Sequence, residues 1–370
     1  MTDSEISRRK GDHIRLAASD AHQSSVSAGW DDITLVHDAL PDVAAAEIEL
    51  GVELLGHDLR LPVVIAGMTG GHPDAVRING VLGRLAQSAG LAMGVGSQRA
   101  ALLDPALADT YAAARDAAPD AMLIANVGVA QLVEQDGQPA FDASTLRRAV
   151  SMIDANALVV HLNYLEESVQ PEGQTRAGGV LAALRTVTAA LEVPVILKET
   201  GTGISRAVAM RARDAGVAAI DVGGLGGTSF ASIEAARATA AGDEIRARLG
   251  TTFGRWGIPT AACVAGSAGV LPVIATGGVR TGLDAAKAVA LGATVAGIGR
   301  PLLQAALEGE ASTNRWIAVF ERELRTAVFL TGGRHVADLR SAPRVVTGDL
   351  LEWLRQLGYP TMPPDGGRDA

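Results

Sequence analysis

Short apolar runs recur along the chain at Leu61 to Ala66, Leu91 to Val95, Met122 to Ala125, Leu158 to Val160, Val193 to Leu197, Ala218 to Val222, Leu271 to Ala275 and Val295 to Ile298. Each has the length of a strand and lacks polar alternation, the pattern of strands buried on both faces. Between them lie stretches of helical period, including Ala75 to Ala89, Pro105 to Ala117, Ser144 to Ala155, Leu181 to Leu191, Ile204 to Ala215 and Gly282 to Leu291. Such alternation predicts an α/β protein of the (β/α)8 TIM-barrel class. A doubly wound open sheet also alternates, but no glycine-rich dinucleotide fingerprint succeeds the first run.

The long interval from Thr228 to Pro272 reads as inserted helices, Ile233 to Ala241, Asp243 to Leu249 and Ala261 to Ala268, rather than a second domain. Asn314 to Leu330 and Leu350 to Leu357 read as amphipathic helices that pack on the barrel or on a neighbouring subunit. The expected division is an amino-terminal arm and lid over 1–60, a barrel with its closing helices over 61–357, and a mobile Pro/Gly-rich tail over 358–370.

Composition refines this picture. With 48% hydrophobic residues but only 3% aromatic, the 370-residue chain must fill its interior with Ala, Val, Leu and Ile. A net charge of −9 argues against general nucleic-acid binding while leaving room for a small anion held by a few clustered arginines. The one cysteine, Cys263, lies in an apolar run and reads as a buried structural thiol. With no apolar stretch long enough to span a bilayer and no signal-peptide pattern, the expectation is a soluble cytoplasmic protein with no membrane partner.

The residues at the exits of these runs carry the chemistry. They read Gly67-Met68-Thr69-Gly70-Gly71, Gly96-Ser97-Gln98-Arg99, Asn126-Val127-Gly128, Lys198-Glu199-Thr200-Gly201, Gly223 to Thr228, and Thr276-Gly277-Gly278-Val279-Arg280. In a barrel these meet at the carboxyl-terminal face, where ligands bind. Thr276-Gly277-Gly278 and Gly297-Ile298-Gly299-Arg300, helped by Gly223 to Thr228, match a phosphate site, because glycine lets backbone N–H groups approach and the next helix adds partial positive charge. Taken singly, each is also an ordinary tight turn. Lys198 either points into the mouth, to face a flavin or form a Schiff base, or pairs with Glu199.

The stretch Val159 to Gly173 continues an apolar strand with His161, Asn163, Glu166 and Glu167, a polar density that a packed core does not satisfy. It reads as an active-site wall or as a polar loop capping its own backbone. At the other end, Arg8-Arg9-Lys10-Gly11-Asp12-His13 is either a solvated terminus or an arm folding over an anionic ligand.

In these segments the chain resembles the type 2 isopentenyl diphosphate isomerases, FMN-dependent (β/α)8 enzymes. The likeness rests on Arg9-Lys10-x-x-His13-Ile14, Met68 to Gly71, Gly94 to Arg99, His161-Leu162-Asn163, Gln170 to Gly173, Val195 to Glu199, Gly226 to Ser229, Trp256 to Thr260, Ala275 to Arg280 and Phe329 to Gly332. The resemblance implies that Arg9, Lys10, His13, Ser97, Arg99 and Asn163 hold a substrate diphosphate, which makes the arm a lid. It implies FMN contacts from Met68, Thr69, Gly70, Ser97, Asn126, Lys198, Thr228, Gly277, Gly278, Arg280, Gly299 and Arg300. It further implies Mg²⁺ at Glu167, catalytic roles for Glu166, His161 and Lys198, NADPH as reductant, and a homo-oligomer, tetramer or octamer.

The sequence departs from the family where Glu166 stands in place of a glutamine close to the reacting carbons. Tyr164, Gln174, Gly223, Ala177 and Val180 also differ, which suggests an altered substrate wall. Two further readings stay open: a diverged flavoenzyme acting on another prenyl or allylic diphosphate, and a flavin- or phosphate-binding protein without catalysis.

Overall fold

The computed structural model describes residues 3–361, so the tail expected from 358 lies, from 362 onward, outside the described residues. All eight apolar runs form strands: Val63–Ile65, Ala92–Gly94, Leu123–Gly128, Ala157–Leu162, Val195–Glu199, Ala219–Asp221, Val273–Thr276 and Val295–Ile298. They pair in parallel and in sequence order, and the last closes on the first through Ala296 against Val63 and Ile298 against Ile65. The barrel is therefore complete and the open-sheet alternative fails.

Between the strands run helices Asp74–Ala89, Asp109–Ala117, Ala143–Met152, Val180–Ala190, Arg206–Asp214, Gly282–Ala290 and Arg300–Glu308, each burying an apolar stripe. The inserted segment forms helices Phe230–Ala240, Glu244–Thr252 and Thr260–Ser267, close to the ranges expected, and Glu310–Phe329 and Gly348–Leu357 close the molecule. Cys263 is buried and its thiol pKa is pushed up by that burial.

The first sixty residues are not one arm. Asp3–Ala18 is a helix lying over the carboxyl-terminal mouth, and beyond it Gln23 bridges antiparallel to Thr228. Ile33–Leu35 instead pairs with Arg344–Val346 near the chain's end. The hairpin Val52–Leu54 and His57–Leu59 goes to the opposite end, where Leu54 and Leu59 pack with Val64, Ile124, Val159, Ile196 and Ile274 inside the barrel. The period-two pattern of so short a hairpin is too brief to read from sequence, whereas its two leucines are unambiguous once buried.

Candidate active site

Strand register sets the site's frame. Gly128 pairs with His161, His161 with Lys198, and Lys198 with Asp221, so these positions form a row across four neighbouring strands at the mouth. Side chains directly opposite in a sheet point to the same face. His161 and Lys198 therefore look into the mouth together.

His161 Nδ1 lies 2.7 Å from Asn126 Oδ1, which fixes Nδ1 as the protonated nitrogen and leaves Nε2 as an acceptor. Burial first, then the Lys198 and Lys10 charges, lower its pKa to about 3, so the ring is neutral. Lys198 donates to the Glu199 carbonyl at 2.6 Å and sits 3.7 Å from the Asp221 carboxylate. Its ion-pair partner is thus Asp221 and not the Glu199 side chain, which was one of the two sequence readings. An ammonium held this way is a fixed positive charge rather than a free amine for Schiff-base formation.

The stretch after His161 turns directly into a short helix, Tyr164–Val169, with Glu166 and Glu167 in its first turn. Asn163 makes no capping bond; its amide instead donates to Glu166 at 3.2 Å and to Glu167 at 3.1 Å. Glu167 also accepts from the Gln174 N–H at 2.7 Å and from the Gln170 amide. The amide oxygens of Asn163 and Gln170 are buried without a hydrogen-bond partner among the described residues. The carboxylate and the two orphaned oxygens are donors of the kind Mg²⁺ takes, but both amides turn their N–H groups to Glu167, so a cation held here would need the amides reversed. Burial first, then the nearby Glu234 and Glu167, raises the Glu166 pKa to about 8.

The amino-terminal helix supplies the opposite charge. Lys10 Nζ donates to the Ser97 carbonyl at 2.9 Å, beside the Tyr111 hydroxyl that donates to the same oxygen at 2.6 Å. Desolvation, then repulsion from Arg9 and Arg99, lowers the Lys10 pKa to about 7. Arg9 reaches Glu172 at 3.6 Å, Arg99 meets Gln174 at 2.9 Å, and His13 Nε2 lies 2.7 Å from the fully buried Glu234. The Arg8 side chain lies outside the described residues.

These groups line two adjoining cavities. One, of about 150 Å³, is bounded by Arg9, Lys10, Gly70, Ser97, Arg99, Asn126, His161, Asn163, Glu166 and Glu167. The other, of about 200 Å³, is bounded by Thr228, Gly277, Gly278, Arg280, Gly299 and Arg300. His13, Met68, Thr69, Lys198, Thr200 and Phe230 belong to both walls. Every site residue expected from the sequence lies on this pair of cavities, although Gly70, Ser97 and Asn126, expected on the flavin, line the cationic one.

The glycine-walled cavity suits FMN on its own geometry. A Cβ on Gly277 would collide with Thr260 Oγ1, and one on Gly278 would lie 2.7 Å from the Gly226 carbonyl, both at positive φ, so only glycine shapes this wall. The helix Gly282–Ala290 caps itself through Thr281 and Asp284, but Arg300–Glu308 opens after Gly299 with no side-chain cap. Gln23 Nε2 and Arg300 Nε are buried donors with no partner among the described residues. Unsatisfied donors at an uncapped helix start fit a phosphate. Arg280 bonds the Gly226 and Gly278 carbonyls and so holds the two glycine loops together, and Arg300 pairs with Asp20 of the lid.

Sequence reading missed Glu234, Tyr111, Asp221 and Phe230. A carboxylate inside the sixth apolar run was a legible signal for Asp221; a single glutamate in an alanine-rich helix was not one for Glu234. Of the departures, only Glu166 lines the cationic cavity, and Gly223 lines the glycine-walled one. Ala177 is exposed and Val180 packs on the core, so neither forms part of a substrate wall. At Gly223, with φ +44°, a Cβ would collide with the Glu199 carbonyl, so this backbone excludes serine.

A family model described as FMN-dependent dehydrogenase matches residues 126–346. The chain is 45% identical over 354 residues to an isopentenyl-diphosphate delta-isomerase of Methanosarcina mazei, covering 95% of each. It is 44% identical over 348 residues to one from Archaeoglobus fulgidus, covering 94% of this chain and 98% of that relative. Among solved structures, mandelate oxidase with benzoyl-formic acid shares the fold, at TM-score 0.59 and 19% identity over 93% of this chain and 98% of that one.

Proposed function

Because the chain belongs to the FMN-dependent dehydrogenase family and, within it, to the type 2 isopentenyl-diphosphate delta-isomerases, we propose how its residues divide the work of interconverting isopentenyl and dimethylallyl diphosphates. The observation that carries the reading is the shared wall: Met68, Lys198, Thr200 and Phe230 line both cavities, so a flavin ring in one and the carbon end of a diphosphate in the other would meet there.

Arg9, Lys10 and Arg99 would hold the diphosphate, with His13, Ser97 and Asn163 completing its cradle, and Glu167 with the Asn163 and Gln170 oxygens would hold Mg²⁺. Thr69, Lys198, Thr228, Gly277, Gly278, Gly299 and Arg300 would hold FMN. Reduced FMN supplies an electron-rich ring able to exchange a proton with the carbon skeleton, and NADPH supplies the electrons that reduce it. Protonating an unactivated alkene generates a tertiary cation, so the residues' main task is to exclude water and fix the substrate. The lid helix excludes water. Lys198 is fixed by Asp221 on the wall that a flavin would meet. His161, neutral, offers Nε2 as an acceptor, and Glu166, neutral near pH 7, donates one hydrogen bond much as a glutamine amide does. In this reading the protein works as a homo-oligomer in a reducing cytoplasm, where its one buried thiol stays reduced.

Reduced, FMN-loaded protein with Mg²⁺ is expected to convert isopentenyl diphosphate anaerobically, monitored by NMR in D₂O as deuterium enters the product. Loaded, reduced protein that leaves the substrate unchanged overturns the reading. Glu167→Gln is expected to lower turnover and weaken its Mg²⁺ dependence.

A further inference from the structure

Phe230 opens the helix Phe230–Ala240 and lies on the walls of both main cavities. It also lies on a third, much smaller space of about 20 Å³ behind them, walled by Glu166, Leu225, Phe253 and Trp256. Among the described residues only Thr200, at the exit of the fifth strand, shares all three walls with it. The Phe230 ring stands edge-on to His13 of the lid, 5.9 Å between centroids, so it is held from above as well as from its own helix.

Direction follows from charge. The cations Arg9, Lys10 and Arg99 fix the diphosphate at one end of the cationic cavity, so the hydrocarbon points toward the shared wall. A chain longer than five carbons has two ways onward: into the space the flavin fills, or past Phe230 into the small rear space. On the wall of that rear space Phe253 meets Trp256 edge-on, centroids 5.7 Å apart, and Trp256 is 65% exposed.

We propose that Phe230 sets the chain length this site accepts, admitting the five-carbon substrate and rejecting ten-carbon and longer prenyl diphosphates. This rests on the isomerase reading and names its substrate limit. The physical basis is overpacking: extra methylenes forced against a held ring cost more than their burial returns, and a hydrophobic wall discriminates by about 10- to 200-fold per group it excludes. A ten-carbon allylic diphosphate undergoes the same balanced step, losing one proton from the methyl on C3 and gaining one at C2, so chemistry does not exclude it.

The test measures kcat/KM for five- and ten-carbon allylic diphosphates on FMN-loaded, reduced wild type, Phe230→Ala, Phe230→Leu and Phe230→Trp. The ten-to-five-carbon ratio is expected to rise at least about tenfold in Phe230→Ala, to rise less in Phe230→Leu, and not to rise in Phe230→Trp. Inhibition of five-carbon turnover by the ten-carbon compound is expected to strengthen in the same order, a readout that needs no ten-carbon turnover. Retained FMN absorbance shows that a variant is folded, and Phe230→Leu, the milder truncation, serves if Phe230→Ala does not fold. Equal ratios and equal inhibition across folded variants overturn the proposal while wild-type five-carbon turnover leaves the isomerase reading standing; absence of that turnover sinks the isomerase reading instead.

Discussion

The same sixty residues close both ends of the barrel, by different physics. At the amino-terminal end the hairpin buries Leu54, 1% exposed, and Leu59, 4% exposed, among aliphatic side chains. At the mouth the helix Asp3–Ala18 is held through Arg9, Lys10 and His13 on Glu172, the Ser97 carbonyl and Glu234. The apolar plug gains its free energy from burial alone and needs no ligand. The lid brings Arg9 and Lys10 up against Arg99, a mutual repulsion that an anion between them would relieve. One closure is constitutive, and the other is tuned by what lies beneath it.

Substitutions at the two ends should separate accordingly. Leu54→Ala is expected to cost about 2–5 kcal/mol of stability in urea denaturation, while turnover per folded molecule stays within about twofold. An equal loss of turnover would mean that the plug also shapes the mouth. Lys10→Met is expected to do the reverse, lowering kcat/KM by about 10- to 100-fold, the worth of one charged hydrogen bond at about 1.5–3 kcal/mol, with an unchanged or higher unfolding midpoint.

pH sharpens the contrast. Lys10 titrates near 7 in the free protein, and a bound diphosphate favours its charged form, so binding takes up a proton. Affinity for the diphosphate should fall as pH rises above about 7, and calorimetry at that pH in buffers of different ionisation enthalpy should register the proton uptake. Lys10→Met should remove both. For Glu166 the native state keeps a proton between about 4.5 and about 8 that the unfolded chain has lost, so stability should decline as pH rises through that window. Glu166→Gln, in chelator, should remove up to about 1.4 kcal/mol per pH unit of that slope. Its isomerase turnover should stay within about threefold of wild type or rise, the smallest effect of the set. Complete loss with FMN still bound would make the carboxyl itself a reactant.

The barrel was legible because doubly buried parallel strands must be continuously apolar, and the absence of a dinucleotide fingerprint after the first of the eight runs weighed against the open sheet that shares this pattern. The lid helix was not, because its inward face presents Arg9, Lys10 and His13, so it lacks the apolar stripe by which helices are read. The glycine exits marked the glycine-walled cavity, yet which of two helix starts was open depended on the Thr281–Asp284 capping box. Glu234 and Tyr111 act through partners far away in sequence, at His13 and Ser97, and only the closed fold brings them there.

Glu199 folds the loop after the fifth strand around itself, taking the N–H groups of Thr200, Gly201, Thr202 and Gly203 and the Thr202 hydroxyl. That carboxylate is a built-in tenant of a glycine turn on the rim that could otherwise grip an oxyanion. With those donors taken by Glu199, this turn offers none of these N–H groups to a phosphate, so the fifth-strand exit is set apart from the glycine exits around it before any ligand arrives.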